Sequence, residues 1–95
     1  MNSQQKEILL IAQEECAEVT QAISKIFRFG IDSEYLERTN RQRLEDEVGD
    51  LLCMIDLMRE FELINEERTQ LAKSKKLVKL KQWSSIHDSK PSTKE

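Results

Sequence analysis

Two acidic clusters, Glu14-Glu15-Cys16-Ala17-Glu18 and Glu45-Asp46-Glu47-Val48-Gly49-Asp50, constrain the fold of this chain more than any other stretch. Each sits in a long run of helical hydrophobic periodicity without proline. Residues of an α-helix turn by about 100°, so those three or four apart share a face. With Glu15 as reference, Ile8, Ile11, Ala12, Val19, Ala22 and Ile26 fall within about 60° of it, and Glu18 lies at the edge of that arc. With Glu47 as reference, Leu44, Leu51, Met54 and Met58 fall in the same arc, and Asp50 lies at its edge.

Ionised carboxylates on an apolar face cost several kcal/mol each, even after relaxation, unless something cationic compensates them. A pair at i and i+3 on each of two facing helices can direct four carboxylates into one pocket. Carboxylate oxygens are the ligands that hard divalent cations take, so the centre of the chain reads as a metal site. With oxygen ligands alone, Mg²⁺ is favoured, with Mn²⁺ as a substitute, and such ions suit phosphate chemistry.

A chain of 95 residues has room for one domain. Its 35% charged and 5% aromatic residues, with two glycines and one proline, favour long amphipathic helices over a sheet. The expected class is all-α: an antiparallel bundle of three main helices, completed by oligomerisation because so small a set cannot cover its own apolar faces. A helical domain is expected over residues 1–83, followed by a flexible polar tail over residues 84–95. The first helix is expected from about residue 4, with Ser3 as cap, to about residue 28, and Gly30 ends it. Residues 31–39 read as a loop with a helical turn around Glu34 to Glu37. The second helix starts at Thr39 or Asn40 and runs to about Phe61; the third follows Asn65 to about Trp83. Gly49, inside the second acidic cluster, is either a point of close approach or an incidental surface glycine.

Net charge is −3, too small to imply nucleic-acid or membrane partners, but the acids lie early and the lysines late. Lys73, Lys75, Lys76, Lys79 and Lys81 form a run without acids, which is either a solvated face or an attractor of a polyanion. Cys16 and Cys53 are expected as buried thiols. The first residues carry no apolar signal core, so a cytoplasmic location is expected. His87 is the only histidine and the cysteines stand 37 positions apart without CxxC, so neither a nucleophilic triad nor a zinc framework has its parts. A di-iron bundle needs Glu-x-x-His, which does not occur.

Glu14-Glu15-x-x-Glu18, followed after 28 residues by Glu47-x-x-Asp50, resembles the EExxE…ExxD signature of the MazG-like, all-α nucleoside triphosphate pyrophosphohydrolases. The likeness spans roughly residues 7–83. Ser24-Lys25-x-x-Arg28-Phe29-Gly30, Asn40-Arg41, and Lys73-x-x-Lys76 through Trp83 resemble small phage-type members. The resemblance implies a four-helix-type bundle that dimerises, or pairs dimers into tetramers, and uses Mg²⁺ to cut nucleoside triphosphates to monophosphate and pyrophosphate. It also implies that Glu15, Glu18, Glu47 and Asp50 are the metal ligands. Glu14 would lie beside them, either supporting a ligand or acting as base for the attacking water.

That chemistry asks for cations along a triphosphate. Lys25 lies seven residues, two helical turns, beyond Glu18 on the same face. Arg28, Lys73 and Lys76 are further phosphate-binding candidates, across a subunit interface if need be. Phe29, Tyr35 and Trp83 are available to stack on a base, or to fill a core or interface. The competing class is a non-catalytic helical module that binds a nucleotide or a protein.

Overall fold

The computed structural model describes residues 1–88. Three helices account for most of them: α1 (Ser3–Phe29), α2 (Asn40–Glu60) and α3 (Glu66–Trp83), with a two-stranded hairpin, β1 (Glu34–Tyr35) and β2 (Arg38–Thr39), between the first two. The chain divides into two compact units, Met1–Leu63 and a second beginning at Ile64.

In the first unit α1 and α2 form an antiparallel pair. The cap of α1 is Asn2, one residue earlier than the expected Ser3. Asn2 Oδ1 accepts from the Gln5 amide at 2.8 Å and Gln5 Oε1 from the Asn2 amide at 3.0 Å, a reciprocal box that satisfies two exposed donors. Gln5 also spans the pair, donating through Nε2 to the Phe61 carbonyl at 2.8 Å. Ile8, Ala12 and Met54 are buried at this end, and Ile11, Leu57, Met58, Phe61 and Leu63 pack against them. These are mostly the wheel residues flanking Glu15 and Glu47. Ile23, further along α1, is 42% exposed.

The connector is a β-hairpin and not the loop with a helical turn that the sequence implies. Glu34 pairs with Thr39 and Tyr35 with Arg38. The two turn residues, Leu36 and Glu37, have φ of 53° and 66°, the left-handed pair that a tight hairpin turn demands. Asn-Gly normally signals such a turn, and here neither residue does. The hairpin is held from outside: Arg38 pairs with Asp46, Arg41 Nε donates to Asp32 Oδ1 at 3.0 Å, and Arg43 donates to the Tyr35 carbonyl. Gly30 closes α1 with φ 103°, where a side chain would be strained. Its carbonyl accepts from Asn40 Nδ2 at 2.9 Å, and Asn40, the buried polar residue of this unit, also donates its backbone N–H to Ser33 at 3.0 Å. Thr39 and Gln42 repeat the capping box at the start of α2. Its end is a paired turn in which Leu63 N–H reaches the Met58 carbonyl and Glu62, at φ 63°, takes the left-handed position.

The second unit contains α3, capped by Asn65, whose Oδ1 accepts from the Arg68 amide at 2.9 Å. Glu66 and Glu67 occupy its first turn and Lys81 its last, matching the helix dipole. None of its residues is buried, and Leu71, Leu77 and Val78 are exposed. The last described residues include a turn from Asp88 N–H to the Ser85 carbonyl; of the expected tail, residues 89–95 lie outside the described residues. No described helix is long and apolar enough to cross a membrane.

The expectation of buried thiols is corrected. Cys16 and Cys53 are exposed; they lie about 100° and 120° around their helices from Glu15 and Glu47, the centres of the apolar arcs. Of the two readings of Gly49, the incidental surface glycine fits: among the described residues, no atom beyond its own stretch of helix lies within 4 Å of where a Cβ would stand. Glycine costs about 1 kcal/mol against alanine inside a helix. Gly49→Ala is therefore expected to raise stability by about 1 kcal/mol in urea denaturation; a loss would mean that something does approach this position.

Candidate metal and phosphate site

The acidic clusters meet where α1 and α2 face one another. One carboxylate oxygen from each of Glu15, Glu47 and Asp50 lies within 4.8 Å of the others. Glu15 and Glu47 are half-buried and Asp50 is exposed, the order expected for residues at the centre and edge of an apolar arc. Burial pushes the Glu15 carboxyl above its ordinary pKa, and Asp50, Glu18 and Glu14 push it further. Burial likewise raises Glu47, followed by Glu18, Asp50, Glu15 and Asp46. Glu18, itself exposed, is thus within electrostatic reach of both half-buried acids, and Glu14 stands beside Glu15. Among the described residues, no cation is one of the groups that shift either residue. The ion pairs of Asp32, Asp46 and Asp56 lie elsewhere.

This arrangement fits a divalent cation. Oxygens about 2.1 Å from Mg²⁺ in an octahedron lie roughly 3 to 4 Å apart, so the triad needs little closing to share one ion. An ion would also supply the positive charge that these half-buried acids lack.

Cations do line the next stretch of the same cleft. A hollow of about 230 Å³ is bounded by Glu18, Gln21, Ala22, Lys25, Asn40, Arg43 and Glu47. A second, of about 410 Å³, is bounded by Lys25, Phe29, Ser33, Glu34, Tyr35, Asn40 and Arg43. Lys25, Asn40 and Arg43 border both, so the two hollows adjoin across these three side chains. The cleft therefore passes from acids, through two cations and an amide, to two aromatic rings.

Of the expected phosphate-binding residues, Lys25 lies in this cleft. Arg28 is exposed, its guanidinium 5.0 Å over the Phe29 ring, and does not line either hollow. Lys73 and Lys76 are exposed on α3 in the second unit, as is Trp83. Sequence reasoning missed Arg43 as a site residue and read Asn40 only as a cap. The signal was present: four and seven residues before Glu47, both share its helical face. Compared with protein-family models, curated proteins and solved structures, the chain matches none.

The raised pKa values fix the sign of a pH effect. Glu15 and Glu47 bind protons more tightly when folded, so their contribution favours the folded state below the ordinary carboxylate range and is lost as pH rises through their raised values. Asp32 behaves oppositely, because its hydrogen bond from Arg41 lowers its pKa and its contribution is lost as pH falls. Without divalent ions, Glu47→Gln is expected to melt above the parent at neutral pH, the gap closing below about pH 4. Mg²⁺ is expected to raise the parent's midpoint and the variant's far less. Thermal denaturation followed by circular dichroism measures both; a parent that Mg²⁺ leaves unchanged would contradict the metal assignment.

Proposed function

We propose that this protein is a Mg²⁺-dependent nucleoside triphosphate pyrophosphohydrolase of the MazG-like class, converting a nucleoside triphosphate, more readily a deoxynucleotide, to the monophosphate and pyrophosphate. The observation that carries this reading is the convergence of Glu15, Glu47 and Asp50 within 4.8 Å, with Glu47 and Glu18 lining a hollow that Lys25 and Arg43 also line. Acids alone fit a cation, and cations alone fit an anion. Both in one cleft fit a metal-bound polyphosphate.

Glu15, Glu18, Glu47 and Asp50 would hold the ion, which when bound polarises a phosphoryl oxygen and acidifies water. Lys25 and Arg43 neutralise the phosphate oxygens next to it. Water attacks the α-phosphorus, the bond from that phosphorus to the bridging oxygen of the β-phosphate breaks, and pyrophosphate leaves. The proton released from water passes to a carboxylate of the cluster, Glu14 being the residue beside the ligands that is free for it. Nucleotide pool housecleaning in the cytoplasm is the role that follows from such chemistry.

Self-association belongs to the same reading. Leu10, Ile23, Phe27 and Leu52 are large apolar residues at 42% exposure or more on α1 and α2, which supports a homodimer or homotetramer. Sedimentation equilibrium is expected to give a mass of at least twice 11.2 kDa; a monomer at micromolar concentration would remove this part of the proposal.

Activity is tested by pyrophosphate release from a panel of ribo- and deoxynucleoside triphosphates with and without Mg²⁺. Release that requires Mg²⁺ is expected, and Glu47→Gln and Asp50→Asn are each expected to lower it by about 100-fold or more while leaving the helices folded. No release from any triphosphate would leave the non-catalytic binding module as the better reading.

A further inference from the structure

Phe29 and Tyr35 have no part in holding a metal or phosphates, yet the hollow they border is the larger of the two. Its volume, about 410 Å³, falls in the range of small-ligand sites. Phe29 and Tyr35 border it while leaving 59% and 68% of their surfaces exposed, an unfavourable position for two rings that nothing covers. Tyr35 is steadied there: the Arg43 guanidinium lies 5.7 Å from its ring centre and donates to its carbonyl, and Tyr35 belongs to β1.

Lys25, Ser33 and Arg43 can donate into this hollow, and two further groups, Glu34 and Asn40, offer it acceptors. Asn40 is 6% exposed and its Nδ2 is committed to the Gly30 carbonyl at 2.9 Å, which orients the amide so that Oδ1 is the atom left for a ligand. No described residue donates to that oxygen, and none donates to the Glu34 carboxylate, which borders the same hollow. Two acceptors without donors, beside two rings, describe a site for a flat ligand whose edge carries N–H groups. The flanking donors, Lys25 and Arg43, stand on the side toward the acids.

We propose that the hollow between Phe29 and the hairpin is the nucleoside subsite, and that Glu34 and Asn40 select bases bearing an exocyclic amino group over uracil and thymine. Cytosine and adenine present an N–H₂ donor where thymine and uracil present a carbonyl oxygen. Against Glu34 and Oδ1 of Asn40, that carbonyl sets acceptor against acceptor, and the N3–H beside it can satisfy at most one of the two protein groups. The inference rests on the triphosphate reading of the acidic end.

The test is calorimetric titration, with Mg²⁺ present, of the α,β-methylene analogues of dCTP, dATP and dTTP, whose α–β bridge resists cleavage, together with inorganic tripolyphosphate. The dCTP and dATP analogues are expected to bind about 10-fold or more tighter than the dTTP analogue. Tyr35→Ala is expected to weaken every nucleotide analogue about 10-fold and to leave tripolyphosphate unchanged. Glu34→Gln, which turns one acceptor into a mixed donor and acceptor, is expected to narrow the preference between bases. Both altered residues are exposed, so the helices stay intact as a control by circular dichroism. Nucleotide analogues that bind no tighter than tripolyphosphate, or a dTTP analogue that binds as well as the others, would overturn the subsite and leave the phosphate site standing. Failure of every ligand to bind, tripolyphosphate included, would overturn both.

Discussion

Mutual repulsion among carboxylates at the α1–α2 contact is the constraint on which the rest of the first unit depends. Glu15 and Glu47 occupy positions that the helical pattern would give to leucine, and each is raised in pKa by burial and by the other acids. Left alone, this charge drives the two helices apart. Hydrophobic contact at one end and backbone anchoring at the other hold them together instead. Ile8, Ala12 and Met54 close the end near Gln5 and Phe61, while Asn40 and Gly30 close the end near the hairpin. The acids sit between two fastened ends, so their spacing is set by the scaffold and not by their own interaction. Such preorganisation is what a metal site requires of its ligands.

The hairpin gains its meaning from the same scaffold. Leu36 and Glu37 adopt left-handed conformations that cost energy for residues with side chains. The surrounding bonds from Arg38, Arg41 and Arg43 enforce that geometry, and all three arginines rise from the strand and helix that follow the turn. Arg43 links the two ends of the cleft, since it borders the hollow beside Glu47 and also lies against Tyr35. Arg43 therefore ties the backbone of the hairpin to the waist that it lines with Lys25, a tie that goes to the Tyr35 carbonyl and not to its ring alone.

Much of this was legible in the residues, and the failures have physical causes. The helical wheel placed Glu15 and Glu47 at the centre of apolar arcs, and three of the four expected ligands converge. Caps at Thr39 and Asn65 were readable because their side chains can accept from the amide three residues on. The hairpin was not readable, since its turn lacks glycine and asparagine and is imposed by tertiary bonds. The cysteines were misread from their apolar neighbours when their angle around the helix decided exposure. The place of Arg43 was legible as well, since its spacing from Glu47 puts it on the same face. The setting of the lysine-rich helix was beyond reach, because a weak apolar stripe does not say what it packs against.

Direct metal uptake tests the central claim, that the two acidic helices together form one cation site. Metal-free protein titrated with Mn²⁺ can be followed by the electron paramagnetic resonance signal of the free ion. The account predicts that the parent suppresses this signal as ions bind, and that the Glu15→Gln, Asp50→Asn double variant, folded by circular dichroism, leaves it nearly unchanged. Equal uptake by both proteins, or none by the parent, would contradict it.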